Sequence, residues 1–327
     1  MNLRELFDRA LAVGRAHDPR GETGVLAYLA RERRTYDALT DKAQGDFDAE
    51  RLTNPYHDCR VLNGPEDVEV KSLLVGIDVE APELLLADRL RERGRRLDAC
   101  VAHHPEGYAQ ANLFRVMELQ ADVMAKYGIP INVAEGILDP RMGEVRRRLL
   151  SLNHNRAVDA AVLLGFPFIC LHTVADNCVT SYLQGRMDDA APGTVADVLD
   201  LLREVPEYRE QRLHSTGLLV LARSIASESN YARIRAGKVF VDMTGGTGGS
   251  KWMFEKMATS TQVGTFVCMH ISDENLEFAK ANHINVVVAG HAASDTLGLN
   301  LLWDDVLAGA DVELVACSGF RRISHRS

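Results

Sequence analysis

The 327-residue sequence has no uninterrupted apolar run approaching the ~18 residues that a membrane span requires. Its opening, Met1-Asn2-Leu3-Arg4-Glu5-Leu6-Phe7-Asp8-Arg9, is charged and helical in pattern, without an apolar core or cleavage site, so no secretory leader is expected. Six cysteines, Cys59, Cys100, Cys170, Cys178, Cys268 and Cys317, show no CxxC spacing, which argues against a zinc ribbon or a thioredoxin-like pair. Cys100, Cys170 and Cys268 fall inside apolar runs, where a cysteine usually serves as a small buried hydrophobe. A reducing, cytoplasmic setting is expected. Positive charge is not in excess: 37 Lys and Arg stand against 46 Asp and Glu, a net charge of -9, so no global basic field exists to hold a nucleic acid. Neither GxxxxGK[ST] nor GxGxxG occurs, and no Ser-His-Asp or Cys-His order stands out.

What is present is an ordinary globular composition, 46% hydrophobic and 25% charged. At ~100 to 200 residues per domain the length suggests two domains or one two-lobed unit. Residues 2 to about 40 read as helices, interrupted between Pro19 and Gly21. The stretch Asn54 to Pro65 is turn-rich at both ends and reads as a connecting loop able to lend polar groups to a site. From Ser72 the pattern is strand (Leu73–Ile77), helix opened by Pro82, and strand (Leu97–Ala102), a parallel βαβ unit.

Residues 110 to 127 have the spacing of one amphipathic helix, Ile129–Val133 that of a short extended run, and a long helical stretch follows Pro140 and ends at Gly165. Phe166–Leu171 is a third strand. Residues 177 to 204 are helical with a break at 189–193, and the polar stretch 205–215 reads as loop. Short strands then follow at Gly217–Leu221, Val239–Met243, Thr265–Met269, Asn285–Val288 and Val312–Ala316. The expected fold is therefore α/β and two-lobed, each lobe a sheet flanked by helices. A helical extension spans 1–50, a first lobe 51–205 and a second lobe 206–327.

Ligands of such sheets gather at the carboxyl ends of strands. Three strand ends here carry histidine with or near carboxylate: His103-His104 beside Pro105, His172 with Asp176, and His291 with Asp295. Asp78 closes the first strand of the βαβ unit on the same rim. Each motif alone has a bland reading, as a loop opening, a cap or a surface pair. Together, mixed imidazole and carboxylate ligands suit zinc, manganese, iron or nickel, and more than four such groups suggest two ions sharing a carboxylate. The turn Thr244-Gly245-Gly246-Thr247-Gly248-Gly249-Ser250-Lys251 joins a strand to a helix through glycines, a geometry that can offer N–H groups to an anion or simply meet unusual φ angles.

The sequence His103-His104-Pro105, the HTxxD pattern at His172 to Asp176 and Gly290-His291 followed by Asp295 resemble the Ngg-one-interacting-factor-three-like family, the GTP cyclohydrolase type-two homologues. The likeness covers roughly residues 54 to 320. It implies a two-lobed α/β fold, a ring-shaped homo-hexamer, and a dinuclear site. His103, His104, Asp176, His291 and Asp295 would be the ligands of its two divalent ions. Asp295 stands where the family has a glutamate, and His172 would lie behind the ligands. His270, at another strand end near where the family has an acidic residue facing the same cavity, would be a substrate contact. The function so implied is metal-dependent hydrolysis of a small molecule, a nucleotide or a cyclic amide or phosphate, with Asp78 or His172 moving the proton. The competing expectation is a non-catalytic metal carrier or metal-dependent interaction protein. A third, that the histidines are only rim residues, is weakened by three matching strand ends.

Overall fold

A computed structural model describes residues 1–214, 219–220 and 228–326. Helices α1 (Leu3–Ala16), α2 (Gly21–Asp37) and α3 (Asp41–Gly45) lead to strands β1 (Cys59–Asn63) and β2 (Ser72–Gly76). Helix α4 (Ala81–Glu92) and strand β3 (Ala99–Ala102) complete the βαβ unit, β2 and β3 pairing in parallel as expected. Helices α5 (Gly107–Ala111), α6 (Leu113–Val116), α7 (Glu118–Lys126), α8 (Ile131–Leu149) and α9 (Arg156–Leu164) precede β4 (Phe168–Leu171) and the long α10 (Thr173–Ala190). The remainder is α11 (Val195–Arg203), α12 (Pro206–His214), β5 (Leu219–Val220), β6 (Lys238–Asp242), α13 (Trp252–Ser260), β7 (Val263–Cys268), α14 (Asp273–Ala281), β8 (Asn285–Val288), α15 (His291–Val306) and β9 (Glu313–Cys317).

Two mixed sheets result. One has the order β1-β4-β3-β2-β9, antiparallel only between β1 and β4; the other, β5-β8-β7-β6, is antiparallel only between β5 and β8. Helices α10 and α15 lie between them. Their apolar residues face the first sheet together with Leu3, Leu6 and Phe7 of α1 on one side, and the second sheet with α11 on the other. The outer faces are covered by α4 and α9 on the first sheet and by α7, α8, α13 and α14 on the second. The molecule is thus a layered α/β structure whose central helix pair belongs to both cores.

Several sequence expectations are corrected. Strand β9 lies in the first sheet, parallel to β2, although its place in the sequence puts it with the second lobe. Helix α1 is a core element with Leu3, Leu6 and Phe7 fully buried, so the first fifty residues are more than an extension. Within Asn54–Pro65 a strand forms, because pairing with β4 satisfies backbone groups that turn chemistry alone leaves open. The expected single helix over 110–127 is broken at Asn112, whose φ of -107° and ψ of 6° are not helical. Ile131–Val133 begins α8 instead of an extended run, and α8 continues through Pro140. Pro140 and Gly136, whose carbonyl loses its partner there, are both exposed, so water can replace the missing bond. The polar stretch after 205 is helix α12, opened by Pro206 and docked through buried Tyr208. The strand expected at Gly217–Leu221 lies partly outside the described residues; its described part is β5.

Candidate metal centre

Strand β4 runs into α10 and strand β8 into α15, so each sheet sends one inner helix away from a carboxyl strand end. His172 is the residue before α10 and Asp176 lies in its first turns; His291 opens α15 and Asp295 follows one turn later. Gly290, at φ 107°, makes the turn from β8 into α15, a conformation that favours glycine. His103 and His104 leave β3, and Asp78 follows β2. Two sheets and two helices therefore deliver all five expected ligands to one place.

Their order is specific. Asp295 Oδ1 lies 3.4 Å from His103 Nε2, which is 3.5 Å from Asp176 Oδ1. Asp295 Oδ2 lies 3.5 Å from His104 Nε2 and 3.6 Å from His291 Nε2, and those two nitrogens are 3.4 Å apart. Ligand-type atoms of His103, Asp176 and Asp295 lie within 4.8 Å of one another, as do those of His104, His291 and Asp295, and of His103, His104 and His172. One carboxylate thus presents a separate oxygen to each of two triads.

Three imidazoles are fixed from behind. His103 Nδ1 is 3.2 Å from the Leu171 carbonyl, His104 Nδ1 2.7 Å from Asp78 Oδ1, and His172 Nδ1 2.7 Å from Asp58 Oδ2. A carbonyl or carboxylate accepts here, so Nδ1 carries a proton and Nε2 is the nitrogen turned towards the centre, where a cation would take its lone pair. Asp58, fully buried, also accepts from the Thr173 hydroxyl at 2.7 Å. Sequence reasoning passed over Asp58 as part of a loop; its only signal was a carboxylate beside a short strand. Asp78, placed on the rim by sequence, is mostly exposed and holds His104. His270 lies beside His291, with ring centroids 4.9 Å apart and planes tilted by 55°.

The donor set fits a metal. Four buried atoms of the centre, His103 Nε2, Asp176 Oδ1 and both oxygens of Asp295, have no hydrogen-bond partner among the described residues. Buried carboxylate oxygens without partners are costly, and cations placed among them would remove that cost. Titration reflects the crowding. Burial pushes Asp176 well above the usual carboxylate range, opposed by His103 and reinforced by Asp295. Burial disfavours the charged forms of Asp295 and His104, yet the imidazoles hold Asp295 below its ordinary value, and Asp295 with Asp78 pushes His104 up to about 9. Burial dominates at His291, which falls to about 4 despite Asp295.

The centre opens into a cavity of about 350 Å³ bordered by His104, His172, His291, His270, Glu106 and the glycine turn at 246–248. Burial and then Glu80 push Glu106 up to about 7. The sequence reading did not single out Glu106, although it directly follows His103-His104-Pro105.

No protein-family model matches the sequence, nor does any curated protein. Solved structures do. Reduced HcgD from Methanocaldococcus jannaschii aligns over 84% of this chain and 94% of its own, with a TM-score of 0.51 and 14% identity, a likeness of fold. A NIF3 superfamily protein from Sphaerobacter thermophilus aligns over 80% of this chain and 91% of its own, with a TM-score of 0.67 and 27% identity. With the mixed sheets, the inner helix pair and the histidine-bearing strand ends in place, the chain has the fold of NIF3 superfamily proteins and is similar to one of them in sequence as well.

Proposed function

We propose that the chain is a dinuclear metal-dependent hydrolase of small molecules. The observation that carries this reading is the division of the two Asp295 oxygens between two imidazole-containing triads, all within reach of one another. His103, Asp176 and Asp295 would hold one divalent ion, and His104, His291 and Asp295 the other. Zinc, manganese, iron and nickel all suit such ligands. The chemistry such a pair supplies is polarisation of a carbonyl or phosphoryl oxygen and a bound water acidic enough to ionise near neutrality.

The chain's own groups do the rest. The carbonyl of Leu171 and the carboxylates of Asp78 and Asp58 fix which nitrogen of each imidazole faces inward. The first triad is buried and reaches the cavity only through Asp176, whereas His104 and His291 both border it and are less buried, so a substrate approaches the second triad. An open coordination position beside a cavity favours catalysis over storage. Asp78, hydrogen-bonded to His104 and largely exposed, and His172, held by Asp58, are placed to receive or return a proton. The burial of the first triad is what favours the second reading, a metal carrier or metal-dependent interaction protein. An ion held entirely by buried side chains suits storage or structure.

Six unpaired cysteines agree with a cytoplasmic setting. No helix among the described residues is long and apolar enough to cross a membrane. Neighbouring helices α4 and α9 expose Leu85, Leu86, Val162 and Leu163, a surface suited to contact between copies in a homo-oligomer such as a hexamer.

The test is metal analysis joined to a hydrolase screen over nucleotides, cyclic phosphates and cyclic amides. Reconstituted protein should hold near two ions per chain and turn over one class, and His103→Ala should lose both properties while staying folded. Ions bound without turnover of any class would favour the carrier; no ions at all would sink both readings.

A further inference from the structure

The glycine turn from Thr244 to Lys251 faces the same cavity as the metal ligands, and its backbone is held from the opposite side. Gln120 Nε2 donates to the carbonyls of Gly245 at 2.9 Å and Thr247 at 2.7 Å. Arg141 Nε donates to the Gly248 carbonyl at 3.1 Å. Across a trans peptide the N–H of the next residue points the other way from the carbonyl. The N–H groups of Gly246 and Gly248 are therefore turned away from Gln120, and Gly246 and Gly248 line the cavity, which Gln120 does not. Neither N–H has an acceptor among the described residues.

The glycines of this turn are needed for different reasons. Gly245 and Gly246 have φ of 98° and 82°. A Cβ at Gly249 would lie 2.7 Å from Gln120 Oε1. Gly248 has neither constraint: its φ is not positive, and a Cβ there would meet nothing within 4 Å. A side chain at 248 would meet open space, yet at this cavity-lining position the backbone is left bare. On the same cavity wall Asp176, only 4% exposed, keeps Oδ1 without a partner.

We infer that this turn is the oxyanion subsite of the centre, with the Gly246 and Gly248 N–H groups binding the phosphate of a phosphorylated small-molecule substrate. Convergent backbone N–H groups bind phosphate oxygens without needing a basic side chain. The inference rests on the metal reading. Asp78, Glu80, Glu106 and Asp242 also face the cavity, so an anion is admitted only once cations offset those carboxylates. The cations and the turn would then hold a phosphate from two sides.

The experiment uses the full zinc-loaded chain labelled with nitrogen-15 glycine and titrated with inorganic phosphate, zinc content being measured first. The Gly246 and Gly248 amide resonances should shift in a saturable way, the latter assigned by its loss in Gly248→Ala. Gly248→Val should weaken phosphate binding about tenfold or more while zinc content and Tm stay unchanged. Zinc uptake with phosphate binding but no shift at these amides, or wild-type affinity in Gly248→Val, would overturn the subsite alone. Failure to take up zinc would overturn the metal reading and the subsite with it.

Discussion

Gly298 on α15 lies against the carbonyl of Ala175 on α10, with room for a hydrogen and no more: a Cβ at 298 would sit 2.5 Å from that oxygen. Ala175 adjoins Asp176, and Gly298 is less than one turn from Asp295. The close crossing therefore sets the spacing of the two buried carboxylates that flank His103 Nε2 at 3.5 and 3.4 Å. Gly298→Ala should push the helices apart, costing about 1 to 3 kcal/mol as overpacking does, and should lower zinc affinity as well. Urea unfolding and zinc titration read the two effects. A variant with native stability and native affinity would show that the crossing does not set the centre.

Asp295 is the one ligand assigned to both triads. Asn keeps its shape but replaces one carboxylate oxygen with an amide donor, which cannot ligate a cation. Asp295→Asn should therefore retain one ion at most per chain, where the unmodified protein should hold two. Native mass spectrometry counts them directly. Two ions bound tightly by the Asn variant would rule out the shared carboxylate.

Much of this was legible in the sequence, and the parts that were not share a physical cause. The βαβ unit from Ser72 to Ala102 and the histidines at three strand ends stood out because apolar strands buried on both faces are short, continuous and sharply ended. The five expected ligands do come together. Hidden from sequence were features set by partners far along the chain. Asp58 matters through His172, 114 residues away, and β9 is told from a second-lobe strand only by its pairing with β2. Gly298 resembles any helical glycine until Ala175 is placed against it. Helix α12 looks like loop because polar residues dominate it, yet Tyr208 is buried.

His57 supplies a pH dependence separate from the ligands. It is 1% exposed and its Nε2 lies 2.8 Å from the Tyr28 hydroxyl. Burial, aided by Arg60 and Arg51, pushes its pKa down to about 3. The unfolded chain binds a proton near pH 6.5 that the folded chain refuses, so this contribution to stability is complete above pH 6.5 and is lost as pH falls towards 3. Between pH 7 and pH 5 the loss from this one group should be about 2 kcal/mol. In His57→Gln, which does not titrate, the difference in urea stability between these pH values should shrink by that amount. An unchanged difference would mean that His57 is protonated in the folded protein.

The α4 and α9 face bears on assembly. Leu163 is 86% exposed and Val162, Leu85 and Leu86 are 56%, 56% and 47% exposed, although α4 and α9 pack on one another. Isolated surface leucines need no explanation, but four on two adjoining helices form a patch that water disfavours and a second copy could cover. A charge at its most exposed point would have to be desolvated in such a contact. Light scattering should therefore give the native chain a mass several times 36.1 kDa, and Leu163→Glu a mass near that of one chain with its helical signal intact. A native protein already running as a single chain, or an assembly indifferent to Leu163→Glu, would remove this face from any account of how copies meet.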